Sequence, residues 1–437
     1  MPFWSGKLAS GAVDMSADGN SGAGEQDRSG QTCGKAAGSE QAGPGGCFPI
    51  TICFPLAGDM LGGSHHSLLG LLRGLDRAKY RPLVVVERAG GRLAEHFAGF
   101  EIAVDPCPPR QSFEVGRAFG FIKSFRTFAG IRRRAEFLRS HKASIIHTND
   151  GRSHATWALA AKLAGAKFLW HHRGDPTARG LRFVAPLLAD RIVTVSRFSL
   201  PRKHFFRAAR EAQVVFSPFD IDLQVDRSLQ RQQIVAELGL SPQTLICGYF
   251  GLFNDRKRPL AFIEAISRLR QTVDRPVAGL MFGEAEDLEL EAEMCRRIAA
   301  PELAGSVKLM GYRTSGASWI GGCDLLLVTA VDEPLGRTLV EAMLVGTPVV
   351  AARSGGTPEA ILDGLGILVD PDDANAMAQA AAALIAEPEE ISEMAARARV
   401  SARQRFGSSR HVEAISAIYD ELAGITKAAP SITPKPA

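Results

Sequence analysis

The sequence has no CxxC pair, and no apolar run approaches the roughly 20 residues that a membrane-spanning helix needs. Its seven cysteines, Cys33, Cys47, Cys53, Cys107, Cys247, Cys295 and Cys323, are odd in number and scattered. That argues against a disulfide framework or a zinc site and for a reducing, cytoplasmic setting. The N-terminus lacks the layout of a signal peptide. Neither sign of charge dominates: 51 Lys and Arg against 47 Asp and Glu leave +4, so no nucleic-acid partner is demanded. The first glycine loop lacks GxGxxG spacing, so no dinucleotide site is assigned, and no short-period repeat is present.

What is there is a globular composition: 437 residues, 46% hydrophobic and 22% charged, enough for two α/β domains and a tail. Residues 1–46 are rich in Gly, Ser, Ala and Gln and are expected to be disordered, because they bury too little apolar surface to offset ordering entropy. Order is expected from PITICF at 49–54, a buried strand. A loop with Gly62 and Gly63 follows, then a helix near 67–75 that Ser64 could cap, and a strand at 83–86. Further strands are expected at 144–147, 167–170, 191–195 and 213–216, with helical patterns between them. The pattern breaks near 217–227. A second series of strands then runs at 245–250, 277–282, 306–309, 324–328, 348–351 and 367–369. Alternating strands and helices predict two Rossmann-like, doubly wound parallel sheets facing across a cleft, the first over 47–222 and the second over 223–408. A last helix at 409–425 is expected to pack back toward the first domain, ahead of a flexible tail at 426–437.

The most informative stretch is 324–370, DLLLVTAVDEPLGRTLVEAMLVGTPVVAARSGGTPEAILDGLGILVD. Glu333 lies in a loop, and Glu341 follows eight positions later inside a helix. Gly336 permits close backbone approach, and the N–H groups of Gly336, Arg337 and Thr338 at a helix start suit an anion. Glu333 can accept hydrogen bonds from sugar hydroxyls, and Glu341 from a ribose. A pair of surface glutamates at this spacing is the plain alternative. A glycosidase pair is a poor fit, since those carboxyls flank one bond at roughly 5–9.5 Å.

EPLGRTLVEAMLVGTPVVAARSGG resembles the donor-binding signature of family 4 glycosyltransferases, which have the GT-B fold, and the likeness extends over most of 48–424. Gly251 to Lys257, in GYFGLFNDRKRP, resembles the family's pyrophosphate-binding loop, and Gly62–Gly63 its first-domain glycine pair. The family usually has Arg directly after that glycine, whereas this chain has Leu252, so one phosphate cation is absent unless Arg256 or Arg337 replaces it. The resemblance implies retaining transfer from a UDP-, GDP- or ADP-sugar to a glycan, lipid-linked or small-molecule acceptor. It implies no cofactor and no metal; the leaving phosphate would accept the acceptor's proton. It further implies that Lys257, Gly251, Gly336, Arg337, Thr338 and Glu341 bind the donor, with Glu333 engaging its hexose. A histidine after a first-domain strand is implied to touch the donor sugar. That role is carried to His172, with His171 and Arg173 as rivals for the register. Gly62, Gly63 and His65, with His66, are placed on the acceptor side.

Residues 117–142 interleave Lys and Arg with phenylalanines, which reads either as a membrane-surface helix or as a solvated face over a core. The localisation expected is cytoplasmic, with peripheral membrane contact under the first of those readings. Two other functions remain open: another GT-B enzyme such as a sugar-nucleotide epimerase, and a non-catalytic nucleotide- or glycan-binding protein.

Overall fold

The computed structural model describes residues 49–108, 121–201, 206–303 and 305–425, with side chains from residue 130 onward in the helix Phe121–Ser140. The expectations for 1–46 and 426–437, and the start of the basic 117–142 segment, lie outside the described residues.

Two parallel sheets form the frame. The first holds β1 (Ile50–Pro55), β2 (Tyr80–Val86), β3 (Glu101–Val104), β4 (Ala143–Thr148), β5 (Lys167–His172), β6 (Arg191–Thr194) and β7 (Gln213–Val214), in the order β3-β2-β1-β4-β5-β6-β7. The second holds β8 (Leu245–Phe250), β9 (Val277–Phe282), β10 (Val307–Gly311), β11 (Leu325–Val328), β12 (Val349–Ala352) and β13 (Ile367–Val369), in the order β10-β9-β8-β11-β12-β13. Central strands such as LICGYF and VAGLMF are continuous apolar runs because helices cover both of their faces. The strand β3, EIAV, has no such run. It is a partly exposed edge strand, which is why periodicity does not reveal it.

The strand order reverses between β1 and β4 and again between β8 and β11. Loops leaving neighbouring strands at such a reversal diverge and leave a crevice at the C-terminal strand ends. Each candidate residue named above leaves a strand at one of these ends or lies in the loop or helix that follows.

The chain passes between the sheets twice. At the first crossing the Phe219 N–H donates to Phe406 O (2.9 Å), and at the second Ser408 Oγ donates to Phe219 O (3.0 Å). The last helix, Ser408–Ala423, buries Ile415, Ile418 and Tyr419 in the first sheet's core beside Ile52 and Tyr80. Its Asp420 takes a hydrogen bond from Tyr80 and an ion pair from Lys79 (2.6 Å).

Candidate functional site

In the second domain, three loops are locked together by backbone contacts. Gly251 follows β8 at φ +148°, and its N–H donates to Phe282 O (2.9 Å). A side chain at Gly283 would place Cβ 2.0 Å from Gly251 O, so the loops after β8 and β9 touch backbone to backbone. Farther on, Asn254 Oδ1 accepts from the Lys257 N–H (3.1 Å) and ends the loop in one tight turn. Thr329 Oγ1, just past β11, donates to Lys257 O (2.9 Å), and the Val331 N–H donates to Arg256 O (2.8 Å). The end of β11 therefore positions Arg256 and Lys257.

Glu333 is set against them by a second lock. Asp332 sits in the left-handed region (φ +49°), and its N–H donates to Ser354 Oγ (2.9 Å). The Gly356 N–H donates to Glu333 O (2.7 Å). A Cβ at Gly355 would lie 2.5 Å from Glu333 O, and one at Gly356 would lie 2.1 Å from Pro334 O. The glycine pair is thus needed for close backbone approach. The outcome is an ion cluster: Lys257 Nζ lies 2.7 Å from Glu333 Oε2, and Arg256 Nη1 bonds the same oxygen. Burial pushes the Glu333 carboxyl up, but Lys257 and Arg256 outweigh it and hold the group below its ordinary value. Leu252 is exposed, and Arg256, in the same loop, pairs with Glu333.

Gly336, at φ +81°, caps the helix Arg337–Val345. The first N–H groups of a helix have no partner within it, so Arg337 and Thr338 present an anion-favouring end next to Glu333. Arg337 and Glu341 lie one turn apart, with Nη2 3.4 Å from Oε1. Glu341 keeps about a quarter of its side chain exposed while protein crowds it closely. Burial raises its pKa, and Arg337 only partly opposes that. Arg337 also reaches the first domain: Nη1 donates to Ser67 Oγ (2.9 Å), its guanidinium lies 4.2 Å from the Phe219 ring, and its stem fills the space beside Gly63.

The first-domain candidates fare differently. The helix after β1 spans Gly63–Gly74, earlier than expected, with Gly62 as N-cap. Ser64 lies inside it, and His65 supplies the capping bond instead, its Nδ1 accepting from the Gly62 N–H (3.0 Å). His65 is buried, whereas His66 is exposed and packs edge-on to His96. The two histidines ending β5 point to different surroundings. His171 is fully buried and shares a hydrogen bond with His147 (3.1 Å). His172 is 6% exposed, and its Nε2 bonds Asp175 O (2.9 Å). Arg173 bonds Asn149 and Ser217. In the helix Phe121–Ser140, Arg134 is buried on Asp105 (2.8 Å) and Leu138 and Ala135 are buried in the core, so this described part packs inward. Among the described residues, no three His, Cys, Asp or Glu side chains gather as a metal-holding group.

Two doubly wound parallel-sheet domains, with a candidate site at the strand ends of each, define a GT-B architecture. Residues 244–387 match the family model described as Glycosyl transferases group 1. The chain is similar to the lipopolysaccharide core biosynthesis mannosyltransferase LpsB of Rhizobium meliloti, at 30% identity over 42% of this chain and 54% of that protein. It is also similar to the N-acetyl-alpha-D-glucosaminyl L-malate synthase of Bacillus anthracis, at 25% identity over 65% of this chain and 76% of the other. Several further relatives are D-inositol 3-phosphate glycosyltransferases, and the chain spans about half the length of most of the curated relatives it matches. In fold it is similar to Anabaena HepE, solved with UDP and glucose, at TM-score 0.73, 21% identity, 85% of this chain and 100% of that one.

Proposed function

We propose that the protein is a glycosyltransferase that takes a sugar from a nucleoside-diphosphate donor and passes it to an acceptor, with retention at the anomeric carbon and without a required metal. One observation carries the reading: the Lys257–Glu333–Arg256 cluster lies next to the N-terminal end of the helix Arg337–Val345. A diphosphate needs cations and N–H groups, and a sugar needs a carboxylate to accept from its hydroxyls. The second domain offers both sets of groups together, on loops that are already locked. Relatives named as a mannosyltransferase and as glycosyltransferases support the same chemistry, as does the UDP and glucose complex of a fold neighbour.

In this reading the free site holds Glu333 on its own cations. An incoming diphosphate takes over Lys257 and Arg256 and receives the N–H groups of Arg337 and Thr338. Glu333 is then released to accept from the hexose hydroxyls, while Glu341 accepts from the ribose. Fixed cations and dipoles aimed at the leaving group stabilise the charge that develops on it. The departing phosphate oxygen accepts the acceptor's proton. His172 borders the sugar from the end of β5. Its Nε2 is engaged by Asp175 O, which fixes the ring's orientation at that strand end. The acceptor is a glycan, lipid-linked or small molecule.

A panel of UDP-, GDP- and ADP-sugars tests the proposal by thermal shift and nucleotide release. The expected result is one nucleotide class that raises Tm and releases nucleotide when an acceptor is supplied. No shift with any donor would sink it.

A further inference from the structure

Arg173 has no carboxylate partner among the described residues. Its Nε donates to Asn149 Oδ1 (3.2 Å) and its Nη1 to Ser217 Oγ (2.9 Å). Among the described residues the third nitrogen, Nη2, is buried with no partner, and so is Asn149 Nδ2. Because Asn149 Oδ1 accepts the guanidinium's hydrogen bond, the amide cannot be turned over to offer an acceptor. Two bonded side chains therefore hold two orphaned donors and nothing that accepts from them.

Among the described residues the surroundings offer Arg173 no paired carboxylate. Asp150 spends Oδ1 on capping the helix Gly151–Ala164 through the N–H groups of Arg152 and Ser153. His171 and His147 are buried, and burial, with the Arg173 charge behind it, keeps both neutral. Arg337 faces Arg173 from the second domain and, among the described residues, has only Glu341 as a counter-ion. Burial and that facing charge both push the Arg173 guanidinium below its usual range, although arginine stays protonated at neutral pH. A half-buried cation whose inner nitrogen has no partner is costly, and its natural partner is an anion that arrives with a ligand.

Arg173 comes from the other domain than the groups assigned to the donor's diphosphate. Arg173 follows β5, Asn149 follows β4 and Ser217 lies at the first crossing, all at the strand ends of the first domain. Lys257, Arg256 and the helix end in the second domain already match a diphosphate. We propose that Arg173 and the Asn149 amide form an anion subsite for the acceptor, so that the molecule receiving the sugar carries a carboxylate or phosphate group. This rests on the transferase reading above.

The test uses the full chain saturated with whichever of UDP, GDP or ADP binds. Inorganic phosphate and malonate are titrated by thermal shift and calorimetry against KCl at equal ionic strength, for the wild type, Arg173→Gln and Arg173→Lys. The expected result is that one of the two anions binds the nucleotide-loaded wild type, which tells phosphate from carboxylate. Arg173→Gln should weaken that binding by roughly tenfold or more, the scale of one charge-assisted hydrogen bond, and Arg173→Lys should recover part of it. Nucleotide affinity should stay unchanged in both variants. If Arg173→Gln does not fold, Asn149→Leu replaces it in the comparison, with weakened anion binding expected. The proposal is overturned by no anion binding to the loaded wild type, by equal binding in the variants, or by anion binding that nucleotide abolishes, which would assign the charge to the donor. If none of the nucleotides binds, the transferase reading fails, and titration of the unloaded protein still decides whether Arg173 holds an anion.

Discussion

Lys257 Nζ lies 2.7 Å from Glu333 Oε2. The carboxylate suited to reading sugar hydroxyls is thus neutralised, in the free protein, by the cation suited to reading phosphate. Under the proposed function, donor binding would be an exchange of partners on loops already locked together.

Lys257→Ala should reduce transfer by roughly 10²-fold or more, the usual loss when one fixed electrostatic stabiliser is removed. Tm should fall only modestly, because Arg256 still pairs with Glu333. Steady-state nucleotide release, with Tm measured alongside, checks both halves.

Arg256 should be the functional substitute for the cation lost at Leu252. Arg256→Leu is expected to weaken nucleotide-diphosphate binding, and adding Leu252→Arg to it is expected to restore much of the loss. Calorimetric Kd values for the single and double variants decide this. A double variant no better than Arg256→Leu would show that position 252 cannot serve the site.

The two glutamates should respond to pH with opposite signs. The folded pKa of Glu333 is depressed, so its ionised form contributes stability above its ordinary value of 4.5, lost as pH falls through the folded value. Glu333→Gln should therefore lower Tm at pH 7, with the gap to wild type closing in acid. The folded pKa of Glu341 is raised, so its ionisation costs stability as pH rises through that value. Glu341→Gln should raise Tm at pH 7 and converge on the wild type below about pH 4, where both states bind the proton. Thermal melts from about pH 3.5 to about pH 8 read both curves.

Gly356→Ala should destabilise by about 1–3 kcal/mol, because its Cβ would meet Pro334 O at 2.1 Å and overpacking forces the backbone to shift. Nucleotide binding should weaken as well, since Glu333 and Pro334 would be displaced. Gly316→Ala, whose Cβ meets nothing within 4 Å, should leave both unchanged. Melts and nucleotide titrations of the pair separate the specific clash from a general glycine effect.

The parallel frame was legible because its central strands are apolar on both faces and alternate with helices; the edge strand β3, half in solvent, was not. In the site, the strand-loop-helix pattern around Glu333 carried the reading, and the roles of Gly355 and Gly356 became physical only once their backbone contacts were seen. The binding of Arg256 to Glu333 joins residues 77 apart in sequence, a distance at which spacing carries no signal. His65, placed on the acceptor side, also caps its own helix, a bond that spacing does not announce. Arg173 was no more than a rival in the histidine register. Its significance lies in partners it lacks, and a sequence does not display those.

The central claim is that Lys257 and Glu333 mark the donor's diphosphate and sugar positions. The most direct measurement is calorimetric binding of a nucleoside and its diphosphate, uridine and UDP or the matching guanosine or adenosine pair, to the wild type and to Lys257→Ala. The account predicts that the diphosphate binds the wild type much more tightly than the nucleoside does, and that Lys257→Ala removes most of that difference while nucleoside binding is unchanged. A diphosphate advantage that survives intact in Lys257→Ala would contradict it.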